Sequence, residues 1–184
     1  MTRRPLLRGD EMPEIVVPPP GPKSAAAAKR LRRVEGAAIW GSDESPVVWA
    51  RAKGAVVEDL DGNRYLDFTS GLGVASIGHA APEVKRAVSS QAGKLLQGQG
   101  DLSPHDARVK LVKRLSALGG RLNRVLLAST GAEAVELALK TAMLVTGRRR
   151  VISHIGGYHG DSLGVLDITD HPRPNEALQG PWSR

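Results

Sequence analysis

One part of the chain alternates between short apolar runs and a capped helical segment, and this order constrains the fold more than any other feature. Residues 124–128 form an apolar run typical of a short buried strand, and residues 150–154 are predicted to form the next strand. Between them, residues 131–146 carry apolar side chains at helical spacing and end at Gly147. This order predicts a β-α-β unit with parallel strands, and therefore an α/β fold.

Two loops, 129–133 and 156–160, follow the carboxyl ends of these predicted strands. Ligands of parallel sheets bind at that edge, so we expect the two loops to face each other. Thr130 and Glu133 have the spacing of a capping box, which predicts a helix N-terminus with free N–H groups and the positive end of the helix dipole. The first loop is therefore a predicted anion site, to which Ser129 and Thr130 add hydroxyl groups.

The second loop contributes Tyr158, whose flat ring is suited to cover an aromatic ligand. An anion site beside an aromatic ring predicts a phosphorylated aromatic ligand. Each feature also has an ordinary structural explanation, since capping boxes begin many helices and His159 suits a hydrogen-bonded structural role. The dinucleotide-binding fingerprint and the Walker lysine are absent from both loops.

Upstream, Asp-Gly-Asn at residues 61–63 separates two strand-like runs, 56–60 and 64–68, and predicts a β-hairpin. Trp40 and Trp49 are expected to anchor packing in a segment that is otherwise hard to assign. Helices are predicted over residues 25–33 with Ser24 as the cap, over 82–96 and over 103–118.

Composition limits the class of protein. The 184 residues contain no cysteine, which excludes disulfides, thiolate metal sites and a cysteine nucleophile. Of the net charge of +7, residues 1–33 hold +5 in a proline-rich arm that lacks interleaved aromatic residues. No metal spacing, apolar span or secretory signal is evident. We therefore expect a soluble cytoplasmic protein with no metal, membrane or nucleic-acid partner.

The order of these motifs resembles the class III aminotransferases, which are pyridoxal-phosphate enzymes of fold type I. Residues 57–68, followed by Gly-Leu-Gly at 71–73 and Gly-His at 78–79, resemble the N-terminal signature of that family. Residues 129–134, followed by Gly-Tyr-His-Gly at 157–160, are similar to its phosphate-binding cup and ring-stacking loop.

The resemblance covers about residues 47–166 and implies an incomplete fold type I architecture. In this interpretation residues 1–46 are a basic, proline-rich N-terminal arm. Residues 47–75 supply the β-hairpin of the small domain. Residues 76–184 begin the cofactor-binding large domain with its parallel sheet.

The resemblance also implies a cofactor and a reaction. Pyridoxal 5'-phosphate would be held through its phosphate by the backbones of Gly131 and Ala132, with Thr130 nearby, and Tyr158 would stack on its pyridine ring. The implied reaction transfers an amino group from an amine or amino acid, such as a 4-aminobutyrate-like donor, to a 2-oxo acid. The family resemblance further implies a homodimer.

Two departures from the family pattern affect these expectations. The family is more than twice as long, and none of the lysines here matches the motif of its Schiff-base lysine. No catalytic residue is therefore assigned, and we expect a truncated or split enzyme that is inactive alone. In addition, Asp161 stands where many amino-acid-specific members carry an arginine that pairs with a substrate carboxylate.

Three alternatives follow from these observations. The Tyr-His-Gly-Asp run ending at Asp161 also resembles the adenosylmethionine-8-amino-7-oxononanoate aminotransferases, which aminate a biotin precursor. A non-catalytic fragment that binds only phosphate or a partner subunit is an alternative from another class. The basic arm at residues 1–33 leaves a nucleic-acid-binding protein as the third.

Overall fold

The computed structural model describes residues 7–36, 46–100 and 102–170. The chain divides into two compact units between Gln97 and Gly98. The domain boundaries expected after residues 46 and 75 stay predictions, and Trp40 lies outside the described residues.

The first unit is built on an antiparallel sheet. Its strands β1 (Trp49–Lys53), β2 (Val56–Asp59) and β3 (Arg64–Leu66) are arranged in the order β1-β2-β3. The turn between β2 and β3 contains Gly62 at a φ of +99°, which is the left-handed conformation that an Asp-Gly turn needs. The predicted hairpin is confirmed, and β1 extends it by pairing with β2.

The apolar core of this unit is small. Val56 and Val57 on β2 are each 1% exposed, and every residue of β2 is buried. Leu7 and Ala28 are the other buried apolar residues described in this unit. Burial of each valine side chain contributes about 1.5–3 kcal/mol, so buried polar groups must be well satisfied for the unit to be stable.

Helix α1 (Pro22–Leu31) begins before Ser24, so the prediction that Ser24 is its cap is wrong. Ser24 lies inside the helix and is buried. The cap comes from the β2–β3 turn, where the carboxylate of Asp61 accepts the N–H groups of Lys23 at 2.9 Å and Ser24 at 2.8 Å. Pro22 occupies the first turn, where a missing N–H is harmless, and therefore opens the helix.

A left-handed turn and a helix complete the first unit. The turn α2 (Ser70–Gly73) has φ and ψ of 59° and 47° at Gly71 and of 60° and 44° at Leu72. Asp67 accepts the N–H of Gly71 at 2.8 Å and thereby fixes the start of this turn. Helix α3 (Pro82–Ala92) begins at the predicted residue and ends a few residues earlier than predicted.

The second unit contains two long helices, α4 (Asp106–Leu118) and α5 (Gly131–Thr146), and a short 3-10 turn at Leu166–Ile168. The ring of His105 caps α4, so this helix starts slightly later than predicted. Gly147 ends α5 at a φ of +69°, a left-handed conformation that favours glycine. Both predicted helices are confirmed.

The strands predicted at 124–128 and 150–154 are not formed. Both segments lack regular secondary structure, and residues 102–170 contain no strand. A strand requires a neighbouring segment that completes its ladder of hydrogen bonds, and these two segments do not pair with each other. Their apolar side chains are exposed as a result, with Leu126 69% and Ile152 99% accessible.

Candidate functional site

The N-terminus of α5 has the capping box expected from the sequence. Oγ1 of Thr130 accepts the N–H of Glu133 at 3.1 Å, and Oε2 of Glu133 accepts the N–H of Ser129 at 2.7 Å. Thr130 is extended, with φ of −136° and ψ of 162°, as an N-cap residue must be. These reciprocal bonds fix the residue at which α5 begins.

The capping box leaves two N–H groups in the first turn of α5 without an acceptor. Within the part of the chain that the structure describes, neither Gly131 nor Ala132 has a hydrogen-bond partner for its N–H. The space that a side chain at Gly131 would enter is open to at least 4 Å. Two free donors at the positive end of a helix suit a phosphate or another small anion.

Tyr158 is tethered by its hydroxyl group and remains 60% exposed. The hydroxyl donates to Oδ2 of Asp161 at 2.8 Å. This hydrogen bond, together with desolvation and the negative charge of Asp161, raises the pKa of Tyr158 above its ordinary value. The phenol therefore stays protonated at neutral pH, and the residue as a whole is largely exposed to solvent.

Gly160 brings the two loops into contact. A Cβ atom at this position would lie only 2.5 Å from Cβ of Ala132, and the φ of Gly160 is +117°. The buried hydroxyl of Thr169 supports this geometry, because it donates to the carbonyl of Gly160 at 2.9 Å and accepts the N–H of His159 at 3.1 Å. The loop with Tyr158 is thus seated against the first turn of α5.

The four residues predicted from the sequence occupy two adjoining places. Thr130, Gly131 and Ala132 form the start of α5, and Tyr158 lies two residues before the contact at Gly160. Their roles toward a cofactor stay predictions. The hydrogen bond from Tyr158 to Asp161 was not expected from the sequence, although their separation of three residues is compatible with such a contact.

Other kinds of site have no support in the described residues. Over residues 7–36, 46–100 and 102–170, no cluster of three or more histidine, aspartate or glutamate side chains is arranged to hold a metal ion. Across the same ranges, no helix combines the length and apolar character needed to cross a membrane.

Comparison with known proteins gives a consistent family. Residues 39–182 match the family Aminotransferase class-III. The [LysW]-aminoadipate semialdehyde transaminase of Deinococcus radiodurans is 42% identical over 131 residues, which cover 71% of this chain and 30% of that protein. The 4-aminobutyrate aminotransferase of Mycobacterium bovis is 33% identical over 171 residues, which cover 92% of this chain and 38% of that protein.

A solved structure agrees with the sequence matches. The taurine:2-oxoglutarate aminotransferase of Bifidobacterium kashiwanohense, in complex with PLP and glutamate, superposes with a TM-score of 0.72 at 26% identity, covering 80% of this chain and 33% of that one. The chain therefore spans about a third of the length of the relatives that it matches. The expected transaminase fold is confirmed, and the chain belongs to the class III aminotransferases.

Proposed function

We propose that these residues form the part of a pyridoxal-phosphate-dependent aminotransferase that binds the cofactor phosphate and covers the cofactor ring. The observation that supports this most directly is the pair of unpartnered N–H groups at Gly131 and Ala132, with the loop of Tyr158 seated against Ala132. The N–H groups that suit an anion lie at the start of α5. The exposed Tyr158 lies on the loop that packs against the same helix end. The N–H groups suit the phosphate of a phosphorylated pyridine, and the tyrosine suits its ring.

The protein residues have distinct tasks in this proposal. The backbone of Gly131 and Ala132 donates to the phosphate, and the capped Thr130 keeps both donors aligned with the helix axis. Tyr158 covers one face of the ring and shields it from water. When bound, pyridoxal 5'-phosphate supplies the electron sink that allows an amino group to move from an amine or amino acid to a 2-oxo acid.

We propose a 4-aminobutyrate-like amino donor, supported by the similarity to the Mycobacterium bovis enzyme over 92% of this chain. The contact between Asp161 and Tyr158 favours a second candidate. Asp161 is engaged within its own loop and is negatively charged, so it does not replace an arginine that pairs with a substrate carboxylate. An adenosylmethionine-8-amino-7-oxononanoate-type reaction is therefore the alternative within the family.

A substitution at Gly131 tests the phosphate site directly. Gly131→Pro removes one N–H donor at the first helical position, where proline is well tolerated, and the extended Thr130 suits a residue before proline. Gly131→Ala keeps the N–H and is the matched control. We expect the proline variant to bind pyridoxamine 5'-phosphate and inorganic phosphate about 10- to 100-fold more weakly, as loss of a charge-assisted hydrogen bond predicts.

Calorimetric titration of the full chain provides the measurement. Pyridoxamine 5'-phosphate is the probe because its amine does not react with surface lysines. Equal binding by the proline and alanine variants would contradict the proposed phosphate site. Binding of inorganic phosphate and pyridoxamine 5'-phosphate with the same affinity would favour a fragment that recognises phosphate alone.

The remaining expectations concern the whole enzyme. We propose that it is a cytoplasmic homodimer, in keeping with the class III resemblance.

None of the eight lysines lies in the loops 129–133 and 156–160. We therefore expect the 184 residues alone to bind the cofactor without a covalent bond. Borohydride reduction with pyridoxal 5'-phosphate tests this, since a stoichiometric adduct on a single lysine would contradict it.

A further inference from the structure

We infer that Glu136 is a positioning residue that fixes the loop of Tyr158 on α5 and so sets the distance between the aromatic ring and the anion-binding N–H groups. This inference rests on the proposed function, because it assigns a task to a residue outside the predicted set of phosphate- and ring-binding residues. It adds a second point of attachment to the contact between Gly160 and Ala132.

The contact itself is well defined. Oγ of Ser162 donates to Oε1 of Glu136 at 2.6 Å. The backbone N–H of Gly164 also bonds to this carboxylate, and a Cβ at Gly164 would overlap the carboxyl group. Hydrogen bonds from Ser162 and Lys140 hold the pKa of Glu136 below its ordinary value, so the carboxylate is charged and a strong acceptor at neutral pH.

Helix geometry explains why two anchors matter. Ala132 and Glu136 are four residues apart and lie one above the other on one face of α5. Gly160 meets the first of them, and Ser162 and Gly164 meet the second. A single contact would leave the loop free to pivot, whereas two contacts one helical turn apart fix its orientation and therefore the place of Tyr158.

This attachment matters for a rigid ligand. In a pyridoxal phosphate the ring and the phosphate are joined by one short linker, so the protein groups that bind them must be held at one separation. Inorganic phosphate has no ring and is insensitive to the position of Tyr158. Loss of the Glu136 contact should therefore weaken binding of the whole ligand and spare binding of phosphate alone.

Substitution of Glu136 in the full chain tests the inference. We expect Glu136→Ala to lower the affinity for pyridoxamine 5'-phosphate about 2- to 10-fold, the value of one aromatic contact, and to leave the affinity for inorganic phosphate unchanged. Glu136→Gln should restore most of the loss, because its amide oxygen still accepts from Ser162. If the parent chain binds both ligands, a parallel loss of affinity for both in Glu136→Ala, or no loss for either, would overturn the positioning role.

Amide hydrogen exchange without any ligand provides an independent test. Glu136→Ala and Ser162→Ala should each speed exchange over residues 158–165, about tenfold or more, and the double variant should not exceed the larger single effect. Lys140→Ala removes the 3.1 Å ion pair with Glu136 but keeps the Ser162 bond, so it should leave this exchange unchanged.

The two tests separate the two hypotheses. If the parent chain binds neither ligand but the exchange pattern is as expected, the proposed cofactor site fails and the attachment of the loop stands. Unchanged exchange over residues 158–165 in both Glu136→Ala and Ser162→Ala would overturn the inference whatever the binding results are.

Discussion

Asn63 and Asp59 form a buried hydrogen-bonded pair at the centre of the first unit, with Nδ2 of Asn63 donating to Oδ2 of Asp59 at 2.8 Å. Both side chains are completely inaccessible. On its other side, Oδ1 of Asn63 accepts the N–H groups of Val16 and Val17, each at 2.9 Å. One amide thus joins the hairpin turn to the N-terminal arm.

Replacing this amide should loosen the arm. Asn63→Ala removes the acceptor of the N–H groups of Val16 and Val17, whereas Oδ2 of Asp59 keeps the hydroxyl of Tyr65 as a donor. Loss of the two part-buried hydrogen bonds to the arm costs about 1–3 kcal/mol in total. We expect the free energy of unfolding, measured by urea titration, to fall by about that amount. Limited proteolysis should also cut the arm faster.

The control for this prediction is Asn123→Ala in the second unit, where the side chain is exposed. An effect of Asn63→Ala no larger than that of the control would show that the buried amide does not hold the arm.

A second prediction concerns acid stability. His79 Nε2 lies 2.7 Å from Oδ2 of Asp67, and hydrogen bonds from His79 and Thr69 hold the pKa of Asp67 at about 2. In the unfolded chain this pKa is near its ordinary value of 3.8. The stabilising contribution is therefore fully present above about pH 4 and is lost as the pH falls toward 2.

The measurement is the urea midpoint of unfolding at several pH values between about 5 and 2. At about pH 5, we expect Asp67→Asn to unfold at a lower urea concentration than the parent chain. Between about pH 5 and 2, the urea midpoint of this variant should fall by less than that of the parent chain. Glu83→Gln removes an exposed carboxylate on α3, and its urea midpoint should change with pH as steeply as that of the parent chain. If the urea midpoint of Asp67→Asn changed with pH as steeply as that of the parent chain, Asp67 would not be the source of the acid sensitivity.

Local features of the structure were predictable from the sequence, because the interacting residues are close along the chain. Thr130 and Glu133 of the capping box are three positions apart, and the Asp-Gly turn at Gly62 depends only on its immediate neighbours. The start of α1 was not predictable in this way. Its cap, Asp61, is 38 residues away from Lys23 in the sequence, so the residues around the helix start do not indicate it.

The predicted strands show a different limit. Residues 124–128 and 150–154 are both predicted as strands from their local sequence, but local sequence does not supply a hydrogen-bonding neighbour. In the candidate site, Thr130, Gly131, Ala132 and Tyr158 stay sequence-based predictions of cofactor-binding residues. The contacts that hold the two loops together depend on the left-handed backbone of Gly160, which a sequence does not specify.

Gly160 offers a third prediction. Gly160→Ala places a methyl group 2.5 Å from Cβ of Ala132 at a φ of +117°, so the loop must move away from α5. Gly156→Ala is a matched control, since Gly156 also has a positive φ, +80°, but no atom within 4 Å of its Cβ position. Gly156→Ala therefore imposes comparable backbone strain without a clash between the new methyl group and a neighbouring atom.

We expect Gly160→Ala to weaken binding of pyridoxamine 5'-phosphate more strongly than Gly156→Ala, by about tenfold, because it separates the ring from the phosphate site. Calorimetric titration measures both variants. Equal losses in the two variants would mean that backbone strain, and not the contact with Ala132, governs the site.

The fourth prediction tests the tether of Tyr158. Asp161→Asn removes the charge and the carboxylate acceptor that raise the pKa of Tyr158, so this pKa should fall toward its ordinary value near 10. The chain has two tyrosines, and a Tyr65→Phe background leaves Tyr158 as the group observed in a spectroscopic titration of tyrosinate.

The control is Asp106→Asn, in which an exposed carboxylate on α4 is lost. It should leave the titration of Tyr158 unchanged. A pKa of Tyr158 that is the same with Asp161 and with asparagine would show that the hydroxyl is not tethered. The exposed ring would then lack the fixed orientation that covering a cofactor requires.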